Sequence, residues 1–199
     1  MYPILIVSIF ALAIFIERFI FIVTKYNING VAFYAQIQKS VLANNVDKGI
    51  KLCNATQAAL PRVIKAGLQK AGKSEVEIQN AVEEATLEVI PQVMKRTPIL
   101  ATLASVATLM GLLGTIAGLI EAFDAVAKLP PDKRAEALTA SIAIAMNTTA
   151  FGLIVAIPTL VAHLILTNTT KKILDEIDQY SVKIENLLIS RSKGISSGS

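Results

Sequence analysis

Three long apolar runs set the limits on what this chain can fold into. Residues 4–23, 98–123 and 138–166 are each long enough to cross about 30 Å of hydrocarbon as a helix. The central portions of the second and third runs contain no Asp, Glu, Lys or Arg. More than half of all residues are hydrophobic and only 17% are charged, a balance that belongs to integral membrane proteins rather than soluble domains. No strand alternation and no glycine-rich phosphate loop interrupt the pattern. The expected fold is therefore an all-α integral membrane protein with three transmembrane helices, whose long helices extend into a helical cytoplasmic domain.

The rest of the composition mainly excludes. A single cysteine, Cys53, rules out an internal disulfide. The single histidine, His163, has no second His or Cys at ligand spacing, so no metal site is expected. No nucleophile–base constellation stands out, and no enzyme activity is expected. The net charge of +4 raises the question of nucleic acid. Its placement beside the apolar runs fits the positive-inside rule better.

The chain divides accordingly. Residues 1–23 form the first span, read as a retained helix rather than a cleaved signal because its charges, Glu17 and Arg18, sit near its far end. These two residues read as topology anchors at the interface, Arg18 snorkelling outward; a functional intramembrane pair is the alternative. Residues 24–97 form a basic helical domain, with Lys25 among its first cations and Ser74–Glu77 opening a long helix as a capping box. That helix is expected to run on into the second span, 98–123, bent at Pro91 and Pro98. A short loop, 124–136, a third span, 137–167, an amphipathic C-terminal helix, 168–190, and a disordered Gly/Ser tail, 191–199, complete the order. With Glu121 included, the loop is net acidic. It lies outside, and both large basic segments lie inside.

Spans two and three share a polar but uncharged seam: Ser105, Thr108, Thr115 and Gly118 in one, Ser141, Ala145, Thr148, Thr149, Gly152, Ala156 and Thr159 in the other. Such helices pack closely and line a path for something small and wet. If that something is a cation, its carboxylate has to come from a partner. Gly111, Gly114 and Gly118 cluster where glycine costs about 1 kcal/mol each relative to alanine, which points to close helix packing, with Gly152 as a counterpart. Thr115 either bonds back to its own helix or faces the path. Asn147, Thr148 and Thr149 cannot all face one way. Either Thr149 faces a lumen while its neighbours serve helix contacts, or the reverse. Pro158 is expected to kink its helix and free a carbonyl. His163 reads as a packed or interfacial histidine, with a proton relay as the alternative. Glu121 and Asp124 read as a solvated helix end.

These residues also resemble a known family. Leu-Met-Gly-Leu-Leu-Gly-Thr-Ile-Ala-Gly at 109–118, Thr-Thr-Ala-Phe-Gly-Leu-Ile-Val-Ala-Ile-Pro at 148–158 and Ile-Glu-Arg-Phe at 16–19 are similar to the MotA/TolQ/ExbB proton channel family, nearest to its ExbB/TolQ branch. The resemblance implies an inner-membrane stator: a homopentamer around a dimer of an ExbD/TolR/MotB-like single-span partner, whose intramembrane Asp carries the ion. It implies a bacterial inner-membrane location, N-terminus periplasmic and C-terminus cytoplasmic, with a periplasmic loop at 124–136. It implies conversion of the proton motive force into work on an envelope process such as TonB-dependent transport, a TonB-like protein being a further partner. By position, Thr115 and Thr149 match the family's pore threonines, with Thr148 and Asn147 beside them. Ile144 stands where ExbB and TolQ chains often carry a Glu. The transported ion is expected to be H+, with Na+ as the alternative. A sodium-driven or flagellar/gliding-type stator, and a non-conducting membrane scaffold, remain rival readings.

Overall fold

The structure of the protein, a computed structural model, describes residues 2–22 and 28–196. Lys25, with the rest of 23–27, and the last residues of the tail, 197–199, lie outside the described residues. Among the described residues, seven α-helices follow in order: α1 (Tyr2–Phe21), α2 (Gly30–Leu42), α3 (Val46–Asn54), α4 (Ala59–Gln69), α5 (Glu75–Met94), α6 (Thr97–Lys128) and α7 (Pro131–Ser196). Among the described residues there is no strand. Among the described residues, three helical stretches are long and apolar enough to cross a membrane, within Tyr2–Phe21, Glu75–Lys128 and Pro131–Ser192. The protein is all-α and carries membrane-spanning helices.

The chain forms two compact units. The first comprises Met1–Arg18 and Arg96–Ile165, and so most of α1, all of α6 and the first part of α7. Its centre is built from small residues: Ala104 and Ala107 on α6 and Ala156 on α7 are buried, with Val7 of α1 and Val155 packed against them. Small side chains let helix backbones approach closely, which favours dispersion and interhelical hydrogen bonds where the solvent is as apolar as the side chains. Most of the large residues point outward, Ile4 of α1 and Leu100 of α6 being buried exceptions. Leu109, Leu113, Ile120, Ile144 and Ile154 are all more than 60% exposed. Leaving a leucine or isoleucine in water forfeits about 1.5–3 kcal/mol, so this arrangement suits a hydrocarbon surround.

The second unit, Phe19–Lys95 and Leu166–Ser199, follows the opposite rule. Ile37, Val41, Val63, Ile64, Leu68, Ile78, Val82, Ile184 and Leu188 are almost wholly buried. They come from α2, α4, α5 and the last third of α7. The helix ends are capped by side chains: Asn29 accepts from the Ala32 amide at 3.1 Å, Asn45 from the Lys48 amide at 3.0 Å, and Ser74 from the Glu77 amide at 3.3 Å. Glu77 returns a carboxylate to the Ser74 amide at 3.2 Å, which completes the expected capping box. The box pulls the Glu77 carboxyl below the usual range, chiefly through its hydrogen bonds to the Ser74 side chain and backbone, against a small opposing effect of burial and with help from Lys73 and Lys70.

Three expectations about helix ends are corrected. The helix opened by Ser74 does not continue into the second span. It ends at Met94, and α6 starts afresh at Thr97. Pro91 lies inside α5 without ending it. Arg96 instead takes a left-handed backbone, φ 62°, at a cost of about 1–3 kcal/mol for a residue with a side chain. Pro98 follows in the first turn of α6, where its missing N–H has no intrahelical partner to lose. Next, the expected loop at 124–136 is largely helical: α6 runs to Lys128 and α7 begins at Pro131. The end of an apolar run is not the end of a helix, and Lys-Arg-Ala-Glu-Ala-Leu at 133–138 is made of strong helix formers. Finally, α7 is one helix through residues 137–196, with no break at 167 and none at Pro158. Residues 191–196, expected in a disordered tail, belong to it.

Candidate ion-pathway seam

The seam lies between α6 and α7 in the first unit, and glycine decides how close the two helices come. A Cβ added at Gly111 would stand 3.2 Å from the Thr149 Cα and 3.3 Å from the Gly152 Cα. One at Gly152 would stand 2.8 Å from the Ala107 carbonyl oxygen. These neighbours are backbone and cannot swing aside. Gly118 meets the Ala145 Cβ at 2.9 Å, and Gly114 faces the Thr148 methyl, which a Cβ would approach to 2.3 Å. All four glycines singled out in the sequence therefore lie in one helix contact.

Backbones this close bring polar groups of the two helices within reach of one another. Thr149 on α7 donates its hydroxyl proton to the Gly111 carbonyl of α6 at 3.0 Å. Thr115 on α6 lies 3.3 Å from two acceptors, the Gly111 carbonyl of its own helix and the Ala145 carbonyl of α7. The Thr115 and Thr149 hydroxyls also contact each other. Each hydroxyl has one proton and two lone pairs. With Thr149 donating to Gly111, Thr115 has one proton to divide among Thr149 and the two carbonyls. The half-buried pair thus carries spare lone pairs without any formal charge. Such a group can orient a water or a protonated carboxyl, or offer oxygens to a small cation. The back-bonding expected of Thr115 is present, and the same hydroxyl also reaches the Ala145 carbonyl and Thr149 of α7.

The neighbouring residues divide. Thr148 turns its methyl to Gly114 and donates its hydroxyl to the Ile144 carbonyl of its own helix at 3.2 Å. Thr148 and Thr149 therefore both face α6. The Asn147 side chain is exposed and makes no hydrogen bond among the described residues, and Ile144 is 68% exposed. This outward face of α7 carries a polar amide into a region where hydrocarbon would leave it unsatisfied. Ser105 and Thr108, expected in the seam, are exposed and bond back to Ala101 and Ala104 of their own helix at 3.1 Å. The positions that do face α7 are occupied by Ala104, Ala107 and Gly111, all buried. One residue of difference in helical phase separates the two sets.

At the other end of α6, the His163 Nδ1 lies 3.0 Å from the Thr97 carbonyl. A carbonyl only accepts, so Nδ1 carries the proton. Glu17 is held by the Arg96 guanidinium, which reaches both carboxylate oxygens. Arg18, expected to snorkel, is 3% exposed and buried within the chain. Asp124 pairs with Lys128 one turn later at 2.6 Å on an open helix surface. The Arg96–Glu17 pair and the carbonyls of Gly111 and Ala145 escaped the sequence reading. Arg96 sits 79 residues from its partner, and backbone acceptors have no signature in a sequence. The three glycines on one helix were the only available hint of the carbonyls.

Residues 55–179 match the MotA/TolQ/ExbB proton channel family. The chain belongs to this family. The matched region takes in α4, α5, α6 and the seam-forming part of α7, and so both threonines and all four glycines. Among curated relatives, the chain is 30% identical over 170 residues to a putative biopolymer transport protein, ExbB-like 3, of Synechocystis, covering 79% of this chain and 75% of that protein. It is 35% identical over 99 residues to the biopolymer transport protein ExbB of Aquifex aeolicus, covering 49% of this chain and 65% of that one. Within the MotA/TolQ/ExbB family the chain is nearest to ExbB, and the family is one of membrane channels. The hydroxyl pair between α6 and α7 therefore lies in the matched core of a channel protein.

Proposed function

We propose that this chain is the larger subunit of an ExbB/TolQ-like stator of the bacterial inner membrane, and that Thr115 and Thr149 border its ion path. The observation that carries this reading is the hydroxyl pair itself: two threonines from different helices, joined to each other and to carbonyls, within spans whose central portions have no acid or base of their own. A path for protons needs a group that takes up and releases them. None of the chain's carboxylates lies in the middle of a span, and Ile144 occupies the place where a relative often has one. The titrating carboxylate then belongs to a single-span partner of the ExbD/TolR kind, and the threonines orient it or its water.

On this reading several copies of the chain, five by family analogy, surround a partner dimer. The exposed Asn147 and Ile144 face of α7 meets a neighbouring subunit or the partner rather than lipid. The N-terminus lies in the periplasm, and the basic helices lie in the cytoplasm. Ion flow down the proton motive force drives a relative motion that is spent on an envelope process such as TonB-dependent transport. The ion is the proton.

Co-expression with a single-span protein of the ExbD/TolR kind from the same genome tests this. The two should purify as one complex, and the partner's mid-span Asp→Asn should abolish energisation while leaving the complex intact. A chain that purifies only as a monomer, or full activity without the partner's Asp, would overturn the proposal. Activity that follows the sodium gradient instead would move the chain to a sodium-driven branch.

A further inference from the structure

The second unit holds a polar cavity that neither the seam nor the stator reading uses. It encloses about 400 Å³. Arg62 and Lys65 of α4 line it, together with Asn54, Thr56, Gln57 and, from α5, Gln92. Among the described residues, no carboxylate lines it. Arg62 gives one N–H to the Gln92 amide oxygen at 2.8 Å and one to Glu88, beside the cavity, at 2.9 Å. Glu88 offsets part of that charge. A guanidinium has five N–H donors, so most remain available. Lys65, half-buried, has no carboxylate within ion-pair distance among the described residues. Its ammonium lies near enough to the Cys53 thiol, which also lines the cavity, to oppose the effect of burial, which pushes that thiol up to about 12. The thiol stays protonated and adds no negative charge.

The remaining wall locates the cavity along the chain. Phe21, the last residue of α1, is part of it. α1 is apolar and long enough to cross a bilayer, so its end marks the depth at which headgroups begin. A cavity with a guanidinium, an ammonium, amide and hydroxyl donors and no acid is matched to a group bearing several acceptor oxygens and negative charge. A metal cation would meet two positive groups there and no anionic ligand. A long polyanion would need a basic surface extending well beyond one cavity.

We propose that this cavity, lined by Arg62 and Lys65 beside the end of α1, binds a phosphate ester, either the headgroup of an anionic phospholipid or a free phosphate-bearing solute. The site is independent of the stator reading, since it shares no residue with the α6–α7 seam.

The test uses the full chain, purified in detergent with its partner if the two copurify. Native mass spectrometry with added phosphatidylglycerol, and with phosphatidylcholine as the zwitterionic comparison, reads lipid retention. Wild type should retain phosphatidylglycerol preferentially. Lys65→Gln should weaken retention about fivefold, the share one basic residue contributes at an anionic surface. Lys65→Arg should restore it, and Lys70→Gln, an exposed change outside the cavity, should leave it unchanged. Inorganic phosphate then separates the two sources. Competition at millimolar concentration assigns the site to phosphate itself, and retention despite phosphate assigns it to the lipid. Acetylation of the wild-type chain gives a reading that needs no variant: phosphatidylglycerol or phosphate should protect Lys65 relative to Lys70. Equal retention by wild type and Lys65→Gln, equal loss in Lys70→Gln, or no protection of Lys65 by either probe would each overturn the proposal.

Discussion

The two units of this chain are built from the same element, the α-helix, under opposite rules. In the first, the contact between α6 and α7 is made by glycine, alanine and threonine, and most leucines and isoleucines face outward, Ile4 and Leu100 being the buried exceptions. In the second, isoleucine, leucine and valine are inside and the caps and ion pairs are outside. A single helix, α7, obeys both. Its early part presents Ala145, Gly152 and Ala156 to its neighbours and its later part presents Ile177, Ile184 and Leu188. The rule therefore changes with the solvent, not with the helix. Where water surrounds a helix, burying apolar area is the driving force. Where hydrocarbon does, nothing is gained by burying leucine, and close backbone approach takes over.

The largest effect that could break this comparison is steric. Gly152→Val places branched carbon where even a Cβ meets the Ala107 carbonyl at 2.8 Å. The expected cost exceeds the roughly 1–3 kcal/mol usual for overpacking, because backbone must move. Loss of the folded chain from detergent extracts, read by size-exclusion chromatography, checks this. Gly67→Ala in the second unit is the counterpart. Its closest neighbour is the Val82 methyl at 2.9 Å, with Leu188 next at 3.5 Å. Side-chain tips can shift, and that variant should stay folded.

A smaller effect separates the two solvents. Ile64→Ala removes a fully buried side chain from the second unit and should cost about 2–5 kcal/mol. Leu113→Ala removes a side chain that is 64% exposed in the first. In a bilayer, lipid fills the space, and the thermal midpoint followed by circular dichroism should barely move. Equal losses in the two variants would refute the division into two rules.

Two milder changes sharpen the account. Thr115→Val and Thr149→Val keep shape and delete a hydroxyl. Each should leave the fold intact but raise the barrier to ion transfer by about 1–3 kcal/mol, the cost of stranding a polar group. If they lowered stability and transfer together, the threonines would be packing residues. The smallest effect concerns Glu185 in the second unit. Burial, with the nearby Glu83 charge adding to it, raises its carboxyl above the usual range. Its neutral form is favoured in the folded chain, so its contribution is fully present at acid pH and is lost as pH rises through that range. Glu185→Gln should therefore raise the thermal midpoint at neutral pH and leave it unchanged at acid pH, as a pH series of melting curves would record.

Much of this was legible in the sequence, for physical reasons. Uncharged runs of about 20 residues permit little but a membrane helix, and Ser74 with Glu77 is a cap that any reader can locate. The cluster at Gly111, Gly114 and Gly118 announced a tight helix contact, and Thr115 and Thr149 carried the family likeness. What was not legible depends on geometry across the chain. Ser105 and Thr108 share a loose phase with Thr115, and only the coordinates show them turned away from α7. The break at Arg96 rests on one left-handed residue, whereas Pro91, the more obvious breaker, sits quietly inside α5. The apolar pattern changes where the membrane ends, so 168–190 read as a separate amphipathic helix and the unbroken run of α7 to Ser196 was not legible.

The central claim is that the Thr115–Thr149 pair takes part in moving protons supplied by a partner's carboxylate. Proton flux into proteoliposomes holding the chain and its single-span partner, driven by an imposed pH gradient and potential, tests it most directly. The account predicts flux in wild type, roughly five- to 150-fold less in Thr149→Val (the rate equivalent of about 1–3 kcal/mol), none with the partner's Asp→Asn, and complexes of unchanged size throughout. Undiminished flux in an intact Thr149→Val complex would contradict it.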